Sequence, residues 1–207
     1  MMFTELSFSE RKRASVLIGA AKVFVDEGFS QSTMDRVAQV AGVSKRTVYK
    51  HFRSKQELFN IIVDGIWTRI TEWSVEWMNP EGDPREELRA FALEMLHQVL
   101  HPEVLPVLRM AAAEFMQRPD LGREFYERTG SFGLEDLSVY LSQAHEKGCL
   151  EIKDPALAAA QFHALIKDPL MWPQMMGFQA APTEHETAEV IEKAITLFLS
   201  LYGKKSS

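Results

Sequence analysis

Thr33-Met-Asp-Arg-Val-Ala-Gln-Val-Ala-Gly-Val-Ser-Lys-Arg-Thr-Val-Tyr-Lys-His-Phe52 decides the fold. It reads as two short helices joined by Ala41-Gly42-Val43-Ser44. Gly42 supplies the positive φ a sharp turn requires, and small Ala38 lets the helices cross closely. Val37, Val43 and Val48 are spaced to point inward, and Ser44 is placed to cap the second helix. Lys45, Arg46, Thr47, Tyr49, Lys50 and His51 are left on or near the outer surface of a helix of about two turns. A helix that short buries little and is not stable alone. A partner explains its side chains better than packing does. The major groove of DNA is the partner that suits them: the helix start reaches base edges and its flanks grip phosphates.

Helical periodicity continues on both sides of this stretch, and no alternating run suggests a sheet. A first helix spans Ser9 to Glu27 and stops at Gly28. Its opening turn carries Arg11-Lys12-Arg13, where the helix dipole is already positive, a placement that a docked phosphate would turn favourable. Ser32 or Thr33 caps the second helix, and Gly42 ends it. Ser54, with Glu57 three residues on, opens a fourth helix that runs to about Met78. Asn79 to Pro84 is a linker-like break, and Asp83-Pro84 starts a fifth helix. Further helices follow near Glu103–Gln117, Leu121–Lys147, Asp154–Met176 and Thr183–Tyr202.

The chain has 207 residues, 46% of them hydrophobic, and a net charge of −6. That charge is segregated. Residues 1–60 hold ten Lys/Arg against six Asp/Glu, a net of +4, leaving −10 for the remainder. A basic head on an acidic body suits phosphates at one end only. No apolar run approaches the ~20 residues of a membrane span, and the first residues lack the pattern of a signal peptide. A cytoplasmic protein is expected. The one cysteine, Cys149, excludes a disulfide framework and a multi-cysteine zinc site. His97, His101, His145 and His163 are scattered without ligand spacing, so neither a metal nor a cofactor is expected.

From Ile18 to Leu58 the sequence resembles the TetR family of bacterial repressors. The match rests on Ala21, Phe24, Gly28-Phe29, Thr33, Val37-Ala38, Ala41-Gly42-Val43-Ser44, Thr47, Tyr49, His51-Phe52, Ser54-Lys55 and Leu58. The resemblance implies an all-α chain. A three-helix, helix-turn-helix DNA-binding head (residues 1–53, motif 33–52) would precede a six-helix ligand-binding and dimerisation body (residues 54–207). It further implies that Thr33, Tyr49, His51 and Lys55 hold phosphates, while Lys45, Arg46, Thr47 and Lys50 lie against bases or the adjacent backbone, with Ser44 at the helix start. The expected partners are a palindromic double-stranded operator, a second copy of the chain and a small-molecule effector. Lys147 to Phe162 is similar to the turn and eighth helix of AefR-type regulators. Pro169 and Pro173 depart from that pattern and should kink or end the helix.

In the last helix, Val190, Ile191, Ala194, Ile195, Leu197, Phe198, Leu199 and Leu201 cover too wide an arc for packing on one side. Phe162, Ile166, Ile191, Ile195 and Phe198, together with Leu165 and Trp172, are therefore expected in a four-helix dimer interface. Trp67, Phe91, Met95, Met110, Phe115, Phe125, Phe162 and Trp172 are expected to line a pocket for an apolar or amphipathic ligand. Two other readings stay open, a helical small-molecule binder without DNA function and an activator. An enzyme is not expected, because no nucleophile–base set, carboxylate pair or phosphate loop stands out.

Overall fold

A computed structural model describes residues 7–71, 77–117 and 133–204. Its regular elements are helical, and an isolated antiparallel bridge joins Leu150 to Gly203. The helices are α1 (Phe8–Glu27), α2 (Met34–Val40), α3 (Lys45–His51), α4 (Lys55–Thr71), α5 (Pro84–Val99) and α6 (Leu105–Met116). They continue with α7 (Leu134–Glu146), α8 (Pro155–Ile166), a π turn (Lys167–Met171), α9 (Trp172–Met176) and α10 (Glu184–Tyr202).

Local chemistry sets most of these boundaries. Side-chain oxygens of Ser7, Thr33, Ser44, Asp83, Asp154 and Thr183 accept backbone N–H groups in the first turns of their helices. Each such cap is worth about 1 kcal/mol. Thr33, rather than Ser32, caps α2; the buried Ser32 hydroxyl donates instead to the Phe29 carbonyl at 2.6 Å. Gly42 takes φ +64°, as the turn between α2 and α3 requires.

The expected run from Asp154 to Met176 is interrupted but not broken. Pro169 has no N–H to give one turn back, and its ring would strike the carbonyl there. The chain widens by one residue into the π turn, and the Trp172 N–H reaches the Lys167 carbonyl, five residues back. Pro173 falls in the first turn of α9, a position at which helices tolerate proline.

The chain packs as two units. Residues 7–68 and 106–117 belong to the first; the second holds the described residues of 69–105 and 133–204. The division falls after Thr68, not at the expected 53, because Leu58 and Phe59 of α4 are fully buried in the first unit's core. There they join Val16, Ala20 and Phe24 of α1, Val37 of α2, Val48 of α3 and Phe52. Each large side chain so buried stabilises the fold by roughly 1.5–3 kcal/mol. Phe24, Phe29, Phe59 and Phe115 form a chain of rings with successive centroids 5.4, 4.6 and 5.7 Å apart.

The second unit's core takes Phe91 and Met95 from α5, Leu137 and Leu141 from α7, Phe162 and Ile166 from α8, and Ile191, Ile195 and Phe198 from α10. Arg85 and Arg89 of α5 both bind Glu192 of α10. The Tyr202 hydroxyl donates to Gln161 at 2.6 Å, tying α10 to α8.

Candidate nucleic-acid interface

The interface grows from α3, whose seven residues bury Val48 alone. Ser44 opens the helix: its Oγ accepts the Thr47 N–H at 3.1 Å and lies 2.8 Å from the Thr47 hydroxyl. Lys45, Arg46, Tyr49 and Lys50 are exposed, Thr47 and His51 half-buried. Arg46, Tyr49 and Lys50 make no hydrogen bond or ion pair within the described residues. Tyr49, 47% exposed, is a large aromatic that packing inside the described chain leaves about half uncovered. Thr33, also exposed, stands at the start of α2.

Lys45 is held by Asp35 of α2 at 2.7 Å, and this carboxylate raises the lysine's pKa. Both side chains are more than half exposed, so the pair stabilises little and can be exchanged for a phosphate or a base edge. Arg36 is similarly engaged, with Glu27 at 2.6 Å and Gln39 at 2.8 Å. The positive end of α1 already has an anion of its own, since Glu10 closes a capping box with Ser7. Of the basic cluster there, Arg13 lies over the Phe52 ring at 5.2 Å.

One expected phosphate contact is engaged within the chain itself. Lys55 turns inward, donating to the carbonyls of Phe29, Ser30 and Ser32 at 2.6, 3.3 and 3.0 Å. Burial lowers its pKa. Its three protons are taken by the turn between α1 and α2.

Gly19 was missed by the sequence reading. A Cβ there would lie 2.8 Å from the Ala41 Cβ and 2.9 Å from the Ala41 nitrogen, so α1 passes against the turn of the motif at van der Waals contact. The available signal was a glycine inside a helical run, which costs about 1 kcal/mol against alanine and needs a packing reason.

The expected pocket residues divide between the two units. Trp67, Met110 and Phe115 belong to the first; Phe91, Met95, Phe162 and Trp172 belong to the second; Phe125 lies outside the described residues. Phe91, Met95 and Phe162 are core, at most 1% exposed, whereas Trp172 is 40% exposed. An open cleft of about 390 Å³ in the first unit is lined by Phe24, Phe29, Pro106, Met110 and Glu114 among others, and takes in Met110 alone of the expected set. In the second unit the Tyr140 hydroxyl is buried without a hydrogen-bond partner among the described residues, and burial raises its pKa.

The expected dimer contacts need a correction too. Phe162, Ile166, Ile191, Ile195 and Phe198 are at most 3% exposed, consumed by packing within one protomer. Adjacent flanks of the same helices carry exposed Leu157 and Leu165 on α8 and Leu197 and Leu201 on α10, with Trp172 at the start of α9. Among the described residues no cluster of His, Cys, Asp and Glu could hold a metal, and no helix is long and apolar enough to cross a membrane.

Comparison with known proteins finds relatives of the same helical fold. Residues 16–62 match the N-terminal domain of bacterial regulatory proteins of the tetR family, and residues 86–204 match the AefR-like transcriptional repressor C-terminal domain. The crystal structure of a TetR family transcriptional regulator from Pseudomonas syringae pv. tomato is 32% identical, with a TM-score of 0.75 over 95% of this chain and 99% of that one. The flavonoid-responsive regulator FrrA is 31% identical, with a TM-score of 0.73 over 95% and 99%. The transcriptional activator FasR of Mycolicibacterium smegmatis is 36% identical over 81 residues, which are 39% of this chain and 37% of FasR. With its exposed α3 in the first packed unit, and with family matches over residues 16–62 and 86–204, the chain belongs to the TetR family of transcriptional regulators.

Proposed function

We propose that two copies of this chain form a repressor that lays its two α3 helices in successive major grooves of a palindromic operator, in the cytoplasm. The observation that carries the reading is the division of labour in α3: Val48 alone goes inward, while Lys45, Arg46, Tyr49 and Lys50 face solvent. Thr33, Tyr49 and His51 are assigned to phosphates. Lys45, Arg46, Thr47 and Lys50 are assigned to base edges or the adjacent backbone, with Ser44 fixing the helix start. The apolar edge of α8 and α10, with Leu157, Leu165, Leu197 and Leu201, is the face assigned to the partner copy.

A small apolar or amphipathic effector would favour the state whose α3 helices do not match the groove spacing, and so release the operator. The Tyr140 hydroxyl, buried without a hydrogen-bond partner among the described residues, supports a polar group of such a ligand in the second unit, because buried hydroxyls are rarely left unbonded. A second reading, activation, is favoured by the match to FasR, a protein described as an activator.

Selection from a random duplex library tests the proposal. Repeated capture by the purified protein should enrich two inverted half-sites with centres about 34–36 Å apart, one turn of DNA. A library that stays random after capture would contradict it.

A further inference from the structure

We infer that Lys55 is a positioning residue, a latch that fastens the start of α4 to the turn between α1 and α2 and so fixes how the motif from Thr33 to His51 is presented. The inference rests on the DNA reading above. A lysine ammonium has three protons and no acceptor. Here all three have backbone oxygens within reach, at 2.6, 3.0 and 3.3 Å, from Phe29, Ser32 and Ser30. The same nitrogen stands 4.5 Å from the Phe29 ring centroid, where the π face adds attraction for a cation. A phosphate could displace the exposed Ser30 carbonyl at little cost, but to draw the ammonium away from the turn it would have to free the part-buried carbonyls of Phe29 and Ser32, and an unbonded buried carbonyl costs about 1–3 kcal/mol.

The latch is tied to a third element. The Ser30 hydroxyl, beside one of the bound carbonyls, donates to Glu114 of α6 at 3.3 Å. Phe29 packs on Phe59 one turn along α4 from Lys55, and Phe59 packs on Phe115 of α6. The turn that precedes α2 is thus gripped from α4 and from α6, inside one packed unit.

The test uses the full-length protein, a duplex enriched by the wild type and a random duplex of equal length, each titrated at several salt concentrations. Circular dichroism and active-fraction titration accompany every variant. Lys55→Met keeps the unbranched shape without donors. It should lose about tenfold or more in affinity for the enriched duplex, and less than about twofold for the random one. The slope of log affinity against log salt should stay at the wild-type value. Lys55→Arg keeps the charge, but its planar fork does not suit three carbonyls converging on one nitrogen. It should lose the same preference. Equal losses on both duplexes, with a slope shallower by about 0.9, would make Lys55 a phosphate contact and overturn the latch. Near wild-type behaviour of Lys55→Arg on both duplexes would overturn it as well. So would a lower melting temperature with unchanged affinity of the folded fraction, which marks a role in stability alone. A wild type that binds neither duplex would overturn the DNA reading, and the latch with it.

Discussion

Tyr49 and Lys55 show how much a single side chain's direction decides. Both belong to the stretch that resembles the TetR head, and the resemblance gives both to phosphates. Tyr49 is 47% exposed and makes no hydrogen bond within the described residues, whereas Lys55 is engaged by three carbonyls. Tyr49→Ala should therefore weaken binding to every duplex by a similar factor, about tenfold or less, and leave sequence preference alone. Fluorescence anisotropy on matched and mismatched duplexes checks this; a loss confined to the matched duplex would give Tyr49 a base instead. The caps at Thr33 and Ser44 and the positive φ of Gly42 were legible in the sequence, because each depends on neighbours within four residues. The inward turn of Lys55 was not, since its partners lie 23 to 26 residues away. Nor was the Ser30–Glu114 bond, which spans 84 residues.

Elements obey the same division between local and distant causes. Periodicity marks α8 and α10 as helices with wide apolar arcs, but a wide arc does not say which half meets the protomer's own core. Phe162, Ile166, Ile191, Ile195 and Phe198 turn inward, and Leu197 and Leu201 stay out, because α5, α8 and α10 pack together inside one chain. Two helical glycines separate packing from propensity. Gly19→Ala should destabilise by about 1–3 kcal/mol, as the new methyl meets Ala41 at 2.8 Å. Gly65→Ala, with nothing within 4 Å, should stabilise by up to about 1 kcal/mol through helix propensity. Thermal unfolding of the two variants should move in opposite directions, and a shared direction would refute the close crossing at Gly19. The α5–α10 clamp makes a pH prediction. Arg89, then Arg85, hold the Glu192 carboxyl below its ordinary value of 4.5. A depressed folded-state pKa stabilises fully above the unfolded value and is lost as pH falls through the folded one. The melting temperature of Glu192→Gln should therefore fall less than that of the wild type between about pH 5 and pH 3. Equal falls would mean that the clamp adds nothing.

At the scale of the whole molecule, the proposal is a pair of basic heads whose separation the acidic bodies control. Charge segregation was legible at once, because a net of +4 in residues 1–60 against −10 elsewhere needs no structure to count. The pocket was not, since aromatic and methionine side chains look alike in sequence whether they line a cavity or fill a core. Leu197, 60% exposed on α10, is the handle for assembly. Leu197→Glu should turn a dimer into a monomer in analytical ultracentrifugation and cost most of the operator affinity. A dimer that survives would move the partner face elsewhere. The central claim is that α3 reads the major groove, and methylation interference on the enriched duplex tests it most directly. Dimethyl sulfate marks guanine N7 in the major groove and adenine N3 in the minor groove. The account predicts interference at guanine N7 in both half-sites, with Arg46→Ala or Lys50→Ala relieving it at one position per half-site; interference confined to adenine N3 would contradict it.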